Sequence, residues 1–174
     1  MPGGIRYHEL MFAVPFVVQE GKPGEHLYVH RMICDFWPGV WVGNNYYGFS
    51  KSFVQITWDG KRFLASDASH APIFCAEVRR VGRAPAGALA WVQAAAALPV
   101  LGRRSDGTIV RSRFDWNFAA AVVEVVALDL TVAQEFERLF GLDRPTWHRN
   151  AYFVQGMRWR LSWPEKVHID TAFR

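Results

Sequence analysis

The chain has 174 residues, of which 51% are hydrophobic, 15% aromatic and 21% charged. A chain of this length and hydrophobicity buries most of its apolar surface, which excludes a disulfide-stapled miniprotein and a disordered segment. Eight Trp and thirteen Phe residues favour β-structure around a core or a pocket over a helix bundle.

The net charge of +4 comes mainly from arginine, because only four of the twenty basic residues are lysines. A basic balance can indicate a nucleic-acid partner. Here the arginines are scattered singly and in pairs, with acids between them, so we expect no nucleic-acid binding. The four lysines are Lys22, Lys51, Lys61 and Lys166.

The cysteines and the apolar runs indicate in which cellular compartment the protein is expected. Cys34 and Cys75 each lie inside an apolar run, and no charged segment followed by an apolar segment and a cleavage site opens the chain. We therefore predict buried free thiols in a cytoplasmic protein. The longest apolar stretch, 88–101, is interrupted by Gln93 and Pro99 and is too short to span a bilayer, so we expect no membrane anchor.

Short apolar runs separated by turn residues predict strands along most of the chain. Residues 10–19 and 27–34 flank the turn Gly21-Lys22-Pro23-Gly24 and predict a hairpin. Residues 49–58 and 62–65 flank Asp59-Gly60 and predict a second hairpin. The further strand candidates are 72–81, 89–101, 108–114, 118–130 and 152–163.

Helix signals are few. Thr131 can cap a short helix at 132–140, where Phe136, Leu139 and Phe140 recur at helical spacing before Gly141. The alanine-rich stretch 84–97 stays open, because its propensity favours a helix whereas Trp91-Val92 and Pro99 favour extended chain.

These elements predict a mainly β protein, or a β-rich α+β protein, with one or two short helices. About eight strands are best buried in one mainly antiparallel sheet that curls into a barrel or sandwich. We expect residues 1–174 to form a single domain.

The sequence gives little support for a metal site. His26 and His30 share a face if they lie on a strand, but no third ligand is near them in sequence. A structural role is the better interpretation, and we expect no metal and no cofactor.

Lys51 is the sharper candidate for chemistry. It lies in an aromatic stretch, 46–54, and no acid is found within seven residues on either side. Burial there would disfavour the ammonium, lower the pKa and give a nucleophile that condenses with a ketone or aldehyde. In the alternative interpretation the lysine stem lies on the aromatic surface and its charge reaches water.

Several segments around Lys51 resemble a known family in order and spacing. They are Tyr7-His8-Glu9, residues 13–16, residues 24–28, Arg31-Met32 with Asp35, and residues 43–52. Together they resemble the central motif block of the acetoacetate decarboxylase family. The resemblance implies a cone-like antiparallel β-barrel that encloses a pocket, a homo-oligomer, and a lysine that forms a Schiff base with a β-keto acid.

Carried over by position, the resemblance makes Lys51 the Schiff-base lysine and Glu9 the pocket glutamate that protonates the enamine. It implies a decarboxylase-like carbon–carbon lyase that acts on a small keto acid or related carbonyl ligand, and an enamine would equally serve a hydratase, dehydratase or aldolase variant. The substrate-binding candidates are Arg6, Arg31, Tyr7, Phe49, Ser52 and Asn45.

Three positions depart from the family pattern. Ser52 replaces a second lysine, Asn44-Asn45 replace an acidic and a basic residue, and Ser50 replaces a proline. Two functions therefore stay open: a Schiff-base enzyme, and a non-catalytic small-molecule binder on the same barrel.

Overall fold

The computed structural model describes residues 7–18, 24–133 and 151–167. Within these residues the chain forms twelve strands, two short α-helices and one π-helical turn. The strands are β1 (Glu9–Val18), β2 (Glu25–Cys34), β3 (Lys51–Phe53), β4 (Gln55–Trp58), β5 (Arg62–Ser66), β6 (Pro72–Arg83), β7 (Pro99–Arg103), β8 (Ile109–Asn117), β9 (Val122–Val132), β10 (Ala151–Gln155), β11 (Arg158–Leu161) and β12 (Glu165–Lys166). The helical elements are α1 (Trp37–Val42), the π-helical turn (Gly43–Tyr47) and α2 (Ala90–Ala96).

The described strands form two sheets. The first has the order β1-β2-β7-β8-β11, with β3 paired to β2 and β12 paired to β8. The second has the order β10-β9-β6-β5-β4. The predicted fold class, mainly β and mainly antiparallel with few short helices, is confirmed.

The single predicted sheet is corrected to two sheets. The predicted strand 49–58 is divided at Val54, whose N–H donates to Cys34 O at 3.0 Å. The segment before Val54 is β3, which pairs with β2, and the segment after it is β4, which pairs with β5. One stretch of chain thus passes from the first sheet to the second.

Both predicted hairpins are confirmed. Strands β1 and β2 pair antiparallel, and so do β4 and β5. In the second hairpin the Asp59 carboxylate accepts hydrogen bonds from the backbone N–H groups of Lys61 and Arg62. Gly60 has a φ of 93°, a conformation that glycine adopts without a steric penalty.

Other element predictions are corrected or decided by the structure. The predicted strand 152–163 is two strands in different sheets, separated at Gly156, where φ is 80° and a Cβ would lie 2.7 Å from Ala120 O. The strand predicted at 89–101 is corrected to helix α2 followed by β7, which begins at Pro99, so the open question of the alanine-rich stretch is decided for a helix at 90–96. Of the predicted helix 132–140, Val132 ends β9 and residues 134–140 lie outside the described residues.

The core lies on both faces of β2. On one face, Ile33 packs with residues of the second sheet such as Phe74 and Ile56. On the other face, Met32 packs with residues that include Val29 and Val100. Each such burial contributes about 1.5–3 kcal/mol.

A β-bulge in β2 determines which of its residues face each part of the core. Phe12 pairs with Arg31 whereas Ala13 pairs with Val29, so His30 is the extra residue. The bulge lets Val29 and Met32 share one face although three positions separate them.

One edge of β2 is shared by two parallel partners. Leu27 and Tyr28 pair with β7, whereas residues 32–34 pair with β3. Between these two pairings the edge of β2 opens, and this opening positions the site described below.

Both cysteines are buried free thiols, as the sequence predicts. None of the helices in the described part of the chain is both long and apolar enough to cross a membrane.

Candidate active site

Glu9 and Lys51 approach each other across β2. Glu9 starts β1 and pairs with Cys34, whereas Lys51 starts β3 and pairs with Met32 on the other edge of β2. Cys34 and Met32 are two positions apart, so their strand partners present side chains on the same sheet face. Two strand spacings separate β1 from β3, about 10 Å, and the long lysine side chain covers much of that distance.

The two side chains form a short, shielded ion pair. Lys51 Nζ donates to Glu9 Oε2 at 2.5 Å. The Lys51 side chain is 7% exposed and that of Glu9 is 17% exposed. The ammonium and the carboxylate therefore compensate each other's charge where little water reaches them.

The π-helical turn covers the lysine stem. A Cβ at Gly43, the first residue of this turn, would lie 2.9 Å from Lys51 Cδ and 3.6 Å from Nζ. The absent side chain leaves room for the lysine methylenes, which are thereby held against the turn.

Asn44 fixes the backbone of Lys51. Its side-chain Oδ1 accepts from Lys51 N at 2.7 Å, and its Nδ2 donates to Lys51 O at 2.9 Å. The amide side chain thus pairs with Lys51 as a neighbouring strand would, and it defines where β3 begins.

A backbone contact joins the end of the turn to β7. Gly48 has a φ of 65°, and a Cβ there would lie 2.5 Å from Arg103 N. A Cβ at Gly102 would lie 1.9 Å from Tyr47 O. Only glycine allows the two segments to approach this closely, and Arg103 N donates to Gly48 O at 2.9 Å.

Tyr7 and Cys34 lie in the electrostatic environment of the ion pair. Burial, with smaller contributions from the negative charges of Glu9 and Cys34, raises the pKa of Tyr7 to about 12. Burial also raises the pKa of the Cys34 thiol. Both groups are therefore protonated and neutral at physiological pH, and Tyr7 stacks on Phe36 with ring centroids 5.5 Å apart.

A pocket of about 470 Å³ lies where β3 and β7 part from β2. It is lined by three consecutive β2 residues, by the chain that leads into β3, and by the end of β7. The lining includes Lys51, Asn44, Phe49, His30, Arg103 and Ser105.

The structure separates the predicted site residues into groups. Lys51, Glu9 and Tyr7 belong to one cluster, and Phe49 and Asn45 line the adjacent pocket. Asn45 also donates from its side chain to Trp41 O at 2.8 Å.

Arg31 and Ser52 lie elsewhere. Ser52 pairs with Ile33, so Ser52 and Arg31 occupy the sheet face opposite Lys51, where a long 3.5 Å contact joins them. The structure does not bring these two residues to the lysine. Arg6 lies outside the described residues.

Sequence reasoning missed Gly43, Asn44 and Arg103. The sequence indicates Asn44 only as the replacement of a charged residue in the family pattern. A side-chain amide seven residues before a strand can nevertheless pair with the backbone of that strand. Gly43 and Arg103 owe their places to tertiary contacts, for which the sequence gives no local signal.

The histidines do not converge. The His26 side chain is buried and its Nδ1 has no hydrogen-bond partner among the residues that the structure describes, whereas His30 is exposed and borders the pocket. Within residues 7–18, 24–133 and 151–167, no group of three His, Cys, Asp or Glu side chains is arranged to hold a metal ion.

The fold is shared with solved structures of low sequence identity. Acetoacetate decarboxylase from Legionella pneumophila subsp. pneumophila str. Philadelphia 1 superposes with a TM-score of 0.63 at 16% identity, over 93% of this chain and 67% of that one. A second acetoacetate decarboxylase structure gives a TM-score of 0.63 at 16% identity, over 95% of this chain and 70% of that one.

A third structure is that of a biosynthetic enzyme with a bound ligand. The enduracididine biosynthesis enzyme MppR in complex with pyruvate gives a TM-score of 0.52 at 19% identity, over 92% of this chain and 63% of that one. No protein-family model matches the chain. No curated protein matches it either. At these identities the likeness establishes the acetoacetate decarboxylase fold for the described chain, and function has to be argued from the site.

Proposed function

We propose that this protein is a Schiff-base-forming, decarboxylase-like enzyme that acts on a keto acid or related carbonyl compound. Lys51 is the nucleophile and Glu9 is the group that transfers protons. The observation that carries this proposal is the shielded Glu9–Lys51 pair at 2.5 Å, beside a pocket and within the fold of acetoacetate decarboxylases.

The first step needs a neutral amine. Transfer of a proton from Lys51 Nζ to Glu9 Oε2 leaves a lone pair on nitrogen, which attacks the substrate ketone carbon. The carbinolamine then loses water to give a protonated imine, and the Glu9 carboxylic acid is within reach to protonate the departing hydroxyl.

The second step uses the imine as an electron sink. The bond to the carboxylate carbon breaks, its electron pair moves through the new carbon–carbon double bond to the imine nitrogen, and CO₂ leaves. Glu9, which became a carboxylate when it protonated the hydroxyl, takes up a proton from solvent and donates it to the enamine carbon, which regenerates a protonated imine that water hydrolyses. Tyr7, whose pKa is about 12, stays an uncharged hydroxyl beside this exchange.

A second candidate function is a non-catalytic small-molecule binder. The observation that favours it is the structural use of the amides at 44 and 45. Asn44 is bonded to the Lys51 backbone and Asn45 to Trp41 O, where the family pattern has charged groups. In this case the Glu9–Lys51 ion pair would stay intact beside the pocket, and Lys51 would never become a neutral amine.

Reductive trapping separates the two candidates. The protein is incubated with fresh acetoacetate and borohydride, and each lysine is examined by peptide mass spectrometry. The enzyme proposal expects an adduct at Lys51 and none at Lys61 or Lys166, which are exposed strand or turn residues. A reduced isopropyl group on Lys51, with CO₂ release above that of the Lys51→Met variant, shows decarboxylation.

Two controls keep the result clear. Acetone replaces acetoacetate in a parallel reaction, because it gives the same isopropyl group without CO₂ loss. Labelling of all lysines to the same extent, or CO₂ release equal to that of Lys51→Met, contradicts the enzyme proposal and favours the binder.

A further inference from the structure

The face of the first sheet that is turned away from Lys51 carries a line of arginines. Lys51 shares its face with Met32, and strand pairing puts Val100 and Ser112, both buried, on that same face. In β8 the two neighbours of Ser112 are exposed and therefore belong to the other face. These neighbours are Arg111 and Arg113.

The line continues from β8 onto the strands at its two sides. Arg103 of β7 lies opposite Ile109, and the two arginines of β11 lie opposite Asp115 and Asn117. Successive positions on one face of β8 are about 7 Å apart, so the line is about 27 Å long with one arginine at each of its positions. We call it the arginine line; in order, its members are Arg103, Arg111, Arg113, Arg160 and Arg158.

The arginine line has more positive than negative charge. All five side chains are exposed. Arg111 pairs with Glu165 and Arg160 pairs with Asp115, each at 3.2 Å, whereas the other three arginines form no salt bridge with a described residue. Exposed ion pairs contribute little to stability, so even the two paired guanidinium groups can exchange their carboxylate for another anion.

An exposed aromatic side chain borders the arginine line. Tyr28 pairs with Leu101, which pairs with Arg111, so Tyr28 lies on the same face about 10 Å from Arg111. Tyr28 is 45% exposed, and its ring centroid lies 6.1 Å from that of His30. Single-stranded nucleic acids bind to such surfaces, because their phosphates contact the positive charges while their bases stack on aromatic rings.

We propose that the arginine line binds the sugar–phosphate backbone of a single-stranded nucleic acid and that Tyr28 stacks on one of its bases. A line of regularly spaced charges matches a linear polymer that carries one charge per unit, whereas the charges of a membrane spread over a surface. Along the sequence these arginines are scattered among acids, which argued against such a partner, but strand alternation brings them into one line. The inference does not depend on the proposed function, because Lys51 lies on the other face.

Fluorescence anisotropy with a labelled single-stranded oligothymidylate tests the surface between about 50 and 200 mM salt. Each phosphate contact contributes about −0.7 to the slope of log K against log salt concentration, so three to five contacts give a slope of about −2 to −3.5. For the double variant Arg113→Gln and Arg158→Gln we expect the Kd to rise by about tenfold or more and the slope to weaken by about 1.4.

A second double variant separates the arginine line from net charge. Arg79→Gln and Arg83→Gln remove the same charge from exposed positions of β6 in the second sheet, and the Kd should stay within about twofold. Thermal unfolding of each variant checks that the fold is intact. Equal weakening in both double variants, or no salt-dependent binding by the unmodified protein, overturns the proposal.

Two further probes identify the kind of polyanion. Tyr28→Leu should weaken oligothymidylate binding by about fivefold or more and leave binding of inorganic polyphosphate unchanged, because polyphosphate has no bases to stack. A DNA duplex of the same length should bind more weakly than the single strand. If Tyr28→Leu has no effect, or if the duplex binds as tightly, the face does not recognise single strands and the proposal fails.

Discussion

Gly43 and Lys51 compete for one space, since a Cβ on Gly43 would lie 2.9 Å from Lys51 Cδ. Gly43 has a φ of −55°, a helical value that any residue adopts. The position therefore requires glycine for room and not for backbone conformation, and its substitution probes the lysine directly.

We expect Gly43→Ala to slow adduct formation at Lys51 by about tenfold, because the added methyl group displaces the lysine stem from its position beside Glu9. Alanine favours a helical conformation over glycine by about 1 kcal/mol, so the fold should survive. The measurement is the rate of borohydride-trapped labelling. Gly82→Ala is the matched control, because a Cβ there meets nothing within 4 Å, and equal rates in both variants would contradict the steric argument.

Glu9→Gln keeps the shape of the side chain and removes its ability to exchange a proton. We expect CO₂ release from acetoacetate to fall by about 10²- to 10⁴-fold, the usual contribution of a general acid or base. Glu124→Gln is the control, since that carboxylate pairs with Arg80 at the surface of the second sheet. Turnover within twofold of the unmodified protein would make Glu9 a structural acid.

Asn44→Ala removes both side-chain hydrogen bonds to the Lys51 backbone. We expect the free energy of unfolding to fall by about 1–3 kcal/mol, measured by urea denaturation. Asn117→Ala, which removes one exposed side-chain bond to Ala119 N, should cost less. If the Asn117 variant lost as much stability as the Asn44 variant, the amide at 44 would not anchor β3.

Tyr7 gives a test of the site environment that does not depend on a substrate. Its pKa is about 12 in the folded protein against 10.0 for an ordinary tyrosine. Between these values the folded state keeps a proton that the unfolded state has lost, so the stability contributed by Tyr7 is complete below pH 10 and is lost as the pH rises toward 12.

The absorbance change on phenol ionisation measures this shift. The difference between the unmodified protein and Tyr7→Phe should titrate near pH 12. A difference curve centred near pH 10 would show that Tyr7 is solvated and does not face the Glu9–Lys51 pair.

Self-association is expected from the apolar surface around α1. Trp37 and Trp41 are 60% and 46% exposed, and such patches usually mark interfaces. We predict at least a dimer, measured by light scattering at micromolar concentration. A mass near that of one chain, 19.9 kDa, would contradict this prediction.

The sequence predicted those features that depend on local patterns. Apolar runs bounded by turn residues indicated the β1–β2 and β4–β5 hairpins, and the motif order around residues 7–52 brought Glu9 and Lys51 into one hypothesis. The structure places these two side chains in contact, although 42 positions separate them.

Features that depend on tertiary packing could not be predicted in this way. The residues of α1 and the π-helical turn lack helical periodicity, and these elements form where Gly39 and Gly43 let them pack against Cys34 and Lys51. Likewise, the division of 152–163 into two strands follows from a contact of Gly156 with Ala120 O. The glycines are visible in the sequence, but the residues that they pack against are not.

The edge of β2 that pairs with both β7 and β3 explains why a pocket is present, whichever side chains line it. The cavity exists because β3 and β7 take adjacent parts of the same edge and leave residues 29–31 between them. The presence of the pocket follows from the pairing of these strands, whereas its binding properties follow from the side chains that line it. A substitution of a lining residue therefore changes the chemistry of the pocket without closing the gap between β3 and β7.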